Sequence, residues 1–79
     1  MGIQDLFLWL VTNGCNVRFC PKPGGDVLVV VYFDDKSGHR MAVEYTFMFD
    51  RIMNSEFPFE FYQVFERFRD EIKEIRKAK

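Results

Sequence analysis

With 79 residues, 11 basic and 12 acidic side chains and a net charge of −1, the chain is one domain spanning 1–79, with no field to attract nucleic acid or to imitate it. A domain this small buries only about 60% of its unfolded surface and usually depends on disulfides, a metal or association. Composition leaves association: Cys15, Cys20 and the single histidine, His39, are too few for a four-ligand zinc site, and a Met1 that opens directly on an amphipathic stretch predicts a cytoplasmic chain with free thiols.

Ile3, Leu6, Phe7, Leu10 and Val11 recur at the spacing of one helix face, and Asn13-Gly14 supplies a left-handed stop, which predicts a first helix over 2–13. In "NVRFC", 16–20, Val17 and Phe19 alternate with Arg18 and Cys20 as in a short strand, and "PKPGGD" follows as a hairpin loop. The run from Asp26 to Phe33 is apolar on both alternating sets, so it is a strand covered on both sides or lying centrally. Its apolar part, Val27 to Phe33, is far short of the roughly 20 residues of a membrane helix. After the turn "DDKSGH", residues Arg40 to Phe49 carry Met41, Val43, Tyr45, Phe47 and Phe49 on the inward set of a half-buried strand.

"DRIMNSE" connects to a long helix that begins between Ser55 and Pro58 and runs to the end of the chain. Phe61, Val64, Phe65, Phe68, Ile72 and Ile75 form its stripe, and mixed charges fill the remainder. The predicted fold is therefore α+β: helix, three-stranded antiparallel meander, long C-terminal helix (α-β-β-β-α), with both helices packed on the sheet.

Both helices carry apolar residues off their stripes. Placed at about 100° per residue, Phe59 lies nearly opposite the stripe of the last helix and Tyr62 to one side. In the first helix Leu8 and Trp9 sit beside Gln4, Asp5 and Thr12. These rings either flank the core or form a contact surface, and Trp and Tyr are enriched at binding hot spots. Leu8, Trp9, Phe59 and Tyr62 are the candidate partner-binding set, and a two-fold homodimer is the simplest assembly that would cover them.

No catalytic constellation or cofactor motif is legible. His39 stands near Asp34 and Asp35 in a polar turn, where a histidine is ordinarily an exposed residue and not a general base. Cys15 follows a helix end and not a helix start that would lower its pKa. "KPGGD" is too short for a phosphate loop and precedes a strand where a helix is required. No metal, cofactor or enzymatic activity is expected.

The order helix, three strands, helix resembles the double-stranded RNA binding domain in topology and length. That resemblance implies RNA contacts from a Gly-Pro-x-His loop and a lysine cluster at the start of the last helix. Here the loop is "PKPGGD", and Glu56 and Glu60 occupy the helix start, where they would repel phosphate. Arg18, Lys22, Lys36, Arg40 and Arg51 remain as the basic set for a nucleic-acid reading. The chain also resembles in style the compact proteins encoded by phages and mobile elements. That resemblance implies a non-catalytic protein-protein interaction module that binds and inhibits a host defence protein, such as a CRISPR effector, through apolar and aromatic contacts.

Overall fold

The computed structural model describes residues 2–77. In chain order these form α1 (Ile3–Thr12), β1 (Asn16–Pro21), β2 (Val27–Asp34), β3 (Arg40–Phe47), α2 (Phe49–Ile52) and α3 (Phe57–Lys77). The three strands make one antiparallel sheet in the order β1-β2-β3, so the α-β-β-β-α expectation and the central position of β2 hold.

Local chemistry sets the element ends. The Asp5 carboxylate accepts from the Gly2 N–H at the start of α1. At its end the N–H of Cys15 reaches the Leu10 carbonyl and that of Gly14 the Val11 carbonyl. This is the paired closure of a helix that needs a left-handed residue, which Gly14 supplies with φ +73. In the β2–β3 turn one Asp35 carboxylate oxygen accepts from the N–H groups of Ser37 and His39, each at 2.8 Å. These bonds hold the Asp35 carboxyl below its ordinary range.

Both helices lie on one face of the sheet. Val29, Val31 and Phe33 of β2 and Val43 and Phe47 of β3 join Leu6 and Leu10 of α1 and Val64, Phe65, Phe68 and Ile72 of α3 in one core. Phe65, wholly enclosed, meets Phe7 at 5.2 Å, Phe61 at 4.7 Å and Phe68 at 5.4 Å. Leu28, Val30 and Tyr32 alternate to the opposite face and belong to no part of that core. Val30 is nonetheless only 6% exposed. Arg18 and Glu44 stand opposite it in register on either side, as residues whose aliphatic stems are long enough to screen a valine between them. β2 is thus covered by helices on one side and by its neighbours' side chains on the other.

Two details of the sequence expectation change. β3 ends at Phe47, not Phe49: the chain leaves the ladder at Met48 and begins α2 with Phe49, which is half exposed and does not continue the inward set. Its N–H is captured by the Asp26 carboxylate at 2.8 Å, a bond from a different loop that periodicity cannot register. In α1, Val11 is 71% exposed while Trp9 packs against the core. The inward line of the helix runs through Leu6 and Leu10. Trp9 lies about 60° from Leu6, whereas Val11 lies about 100° beyond Leu10.

Phe68→Ala removes a ring that is 2% exposed and should destabilise the domain by about 3 to 5 kcal/mol, read as a fall in the urea midpoint. A variant as stable as the parent would show that the α3 stripe does not carry the core.

Candidate functional site

The register pairs Pro21 with Val27 and Val27 with Phe47, so the end of β1, the start of β2 and the end of β3 meet at one end of the sheet. The alternation of β1 aims Phe19 at the helix side, where it stacks on Phe61 at 6.5 Å with the rings 6° from parallel. Phe61 also stacks on Phe47 at 5.5 Å, and Phe57 closes on both. This row of rings continues into exposed side chains. Phe19, Met48, Phe49, Met53 and Phe59 are all half exposed or more, Met53 reaching 71% and Phe59 65%. Together they leave roughly 500 Å² of apolar side chain wet around this end of the molecule.

Phe49 is held in place by two contacts. Besides the bond from its N–H to Asp26, its ring lies across Gly25, where an added Cβ would come within 2.5 Å of it. Gly25 also has φ +94, in the region that favours glycine. The residue after "PKPG" therefore seats α2 on the β1–β2 hairpin.

Beside the apolar end lies a polar cluster centred on Glu60, on the flank of α3 toward β3. One carboxylate oxygen accepts from the Tyr45 hydroxyl at 3.0 Å and the other from Arg51 Nε at 3.3 Å. The Arg67 guanidinium stands 5.6 Å from the Tyr45 ring. The bond to Glu60 stabilises the protonated phenol, and with partial desolvation it raises the Tyr45 pKa. A hollow of about 420 Å³ opens between α2 and the first turn of α3, with Arg51, Asn54, Glu56 and Glu60 on its polar side and Phe57 and Phe59 on its apolar side.

The four candidate partner residues do not form one surface. Leu8 and Phe59 face outward, whereas Trp9 and Tyr62 are half-buried and pack against the core. Trp9 lies beneath Lys73, whose Nζ is 5.7 Å from its ring. Lys73 and Phe59 are separated by about 21 Å of helix axis. The sequence signal treated every ring off the main stripe alike. It missed Met48, Phe49 and Met53, because their exposure depends on where β3 ends and α2 begins, and Phe19, because its exposure depends on β1 being an edge strand.

The basic set is also dispersed. Arg18 and Arg40 flank Tyr32 on the open face of the sheet, where Arg40 stands 5.9 Å from the ring and 3.5 Å from Asp34. Lys36 is in the β2–β3 turn, Lys22 follows β1 at the opposite end, and Arg51 is engaged by Glu60. His39 is a turn residue with an 82% exposed side chain, 3.7 Å from Asp35. Cys15 is buried and Cys20 exposed, both as free thiols, and burial pushes the Cys15 thiol up. Among the described residues no three His, Cys, Asp or Glu side chains gather as a metal site, and no helix is long and apolar enough to cross a membrane. No family model matches the chain, nor does any curated protein or solved structure.

Two outcomes check this geometry. Gly25→Ala should lower stability by about 1 to 3 kcal/mol. Combining it with Phe49→Ala should recover the steric part and leave the backbone part, and a double variant no better than the sum of the single ones would remove Phe49 from contact with Gly25. In a pH titration followed by tyrosinate absorbance, the transition that disappears in Tyr45→Phe should lie above the ordinary value near 10, and Glu60→Gln should bring it down. Because the folded pKa is the raised one, the stabilisation from this phenol is complete below the unfolded pKa and is lost as pH climbs through the folded value.

Proposed function

We propose that the chain is a small non-catalytic protein-protein interaction module that acts in the cytoplasm and docks through the apolar end formed by Phe19, Met48, Phe49, Met53 and Phe59. The observation that carries this reading is the gathering of five large exposed apolar side chains at one end of a 79-residue chain. Rings and methionines of this kind are enriched at interfaces, and their combined exposed area is more than half of the roughly 800 Å² that one partner contributes to a standard complex. Gly25 and Asp26 fix Phe49, so part of the surface is preorganised and little side-chain entropy is lost there on binding.

The likeness to phage and mobile-element proteins supports a host protein as the partner, occupied in stoichiometric amount, with inhibition of a defence component such as a CRISPR effector as its effect. A net charge of −1 supports apolar contact over mimicry of DNA. Nucleic-acid binding is the second reading, favoured by Arg18 and Arg40 beside Tyr32.

The test is a pull-down from the native host cell with the parent and a Met53→Ser/Phe59→Ser variant, each first shown to be folded by thermal melt. Both residues lie outside the core, so the variant should melt within about 1 kcal/mol of the parent yet lose the captured protein and bind less of an apolar dye. Undiminished capture by the folded variant would refute the apolar end. Capture that is abolished by nuclease and falls steeply with salt would favour nucleic acid instead.

A further inference from the structure

The sheet has two free edges, and they differ. In the β2–β3 turn the Asp35 N–H donates to the His39 carbonyl at 2.8 Å, in the same register as the strands. Antiparallel pairs alternate, so the odd-numbered residues of β3 bond to β2, and Arg40, Ala42, Glu44 and Thr46 direct their N–H and C=O groups to the outer edge. The same argument from the Lys22 N–H to Asp26 carbonyl bond leaves Val17, Phe19 and Pro21 facing outward on β1. Pro21 has no N–H to give, and β1 has six residues against eight in β3. β3 has no proline and no bulge in its register to blunt it.

Charge distinguishes the edges further. Along the open face of β3, Arg40 and Glu44 lie symmetrically about Ala42. If a second copy pairs antiparallel with Ala42 opposite its own counterpart, Arg40 faces the second copy's Glu44 and Glu44 faces its Arg40. On the helix side Met41 faces Val43 in both directions, which covers a half-buried methionine. Both members of every such pair share parity, so hydrogen bonds form throughout. The flanking helices present ion pairs already matched within each chain, Arg51 of α2 with Glu60 of α3 and Arg67 with Glu71 along α3. Glu44 has no bonding partner among the described side chains, and Arg40 has only the exposed contacts to Asp34 and Tyr32. On β1 the equivalent two-fold, through outward-directed Phe19, would set Arg18 against Cys20 and Val17 against Pro21, with no charge pair.

We propose that two copies join through the outer edges of β3, with Ala42 on the two-fold axis, into one six-stranded antiparallel sheet. The occupant of this edge is a second copy of the chain because the edge carries its own complement. The surface is separate from the apolar end, so the two readings stand or fall independently. In the dimer β3 runs in opposite senses in the two copies and places an apolar end on each side of the axis. A module of this form is bivalent toward its partner.

Sedimentation and light scattering at high micromolar concentration test the proposal. The parent should have the mass of a dimer. Arg40→Glu and Glu44→Arg should each weaken association about tenfold or more, because each places like charges opposite one another twice across the axis. Arg40→Glu/Glu44→Arg, which restores the pairing with signs exchanged, should recover the dimer. Ala42→Cys in a Cys20→Ser background reports position, since directly bonded antiparallel residues are about 5.5 Å apart at Cα, within disulfide range. Mild oxidation should link that variant as a covalent dimer. A monomeric parent, single variants as dimeric as the parent, a double variant that stays monomeric, or an Ala42→Cys chain that does not link would each overturn the proposal.

Discussion

Phe65 has no accessible surface, and its contacts with Phe7, Phe61 and Phe68, with that of Phe61 to Phe47, join α1, α3 and the sheet through one row of rings. In a chain this short the aromatic row takes the place that a deeper aliphatic core holds in larger domains, since each ring removes 150 to 250 Å² from water with few rotatable bonds. Two helices suffice to cover one face of three strands and no more. The open sheet face, the bare strand edge and the rings spilling past the start of α3 all follow from that shortage of covering material.

The two ends of the molecule finish the packing in different ways. At the C-terminal end of α3 the Arg76 guanidinium donates to the Asp34 carbonyl at 3.1 Å and the Asn13 carbonyl at 2.8 Å, and stands 5.8 Å from the Phe33 ring. One side chain there closes the end of α1, the end of β2 and the last turn of α3. At the other end the row Phe47, Phe57, Phe61 and Phe19 runs out toward solvent, with the Glu60, Tyr45 and Arg51 cluster to one side of it. A polar closure satisfies carbonyls that have no other partner, whereas an apolar run-out leaves surface whose burial is favourable only against another molecule. The proposed docking at the second end rests on that asymmetry.

Polar side chains near the helix side of the sheet are similarly tied. Glu60 is shared between Tyr45 and Arg51, and Arg67 rests on Tyr45. Glu60, read in the sequence as an obstacle to RNA, is the group that joins α3 to β3 and α2. With those charges matched inside the chain, Arg40 and Glu44 are left as the complementary pair along the outer strand, on the face that no helix reaches.

The element order, the inward stripe of α3, the turn at Asn13-Gly14 and the central place of β2 were legible in the sequence. Each rests on local periodicity, on a positive φ or on an apolar run, and these are fixed by covalent geometry within a few residues. The end of β3, the exposure of Val11 and the half-burial of Trp9 and Tyr62 were not legible. A helical wheel orders side chains by angle but does not say where the neighbouring helix and sheet meet it. Phe49 follows the alternation of β3 and nevertheless leaves it, because Asp26 and Gly25, more than twenty residues earlier, hold its N–H and its ring. The sequence by itself determined which segments are helix and strand and which residues are apolar. Only the tertiary structure decided which apolar residues remain wet, because exposure depends on contacts between segments distant in the chain.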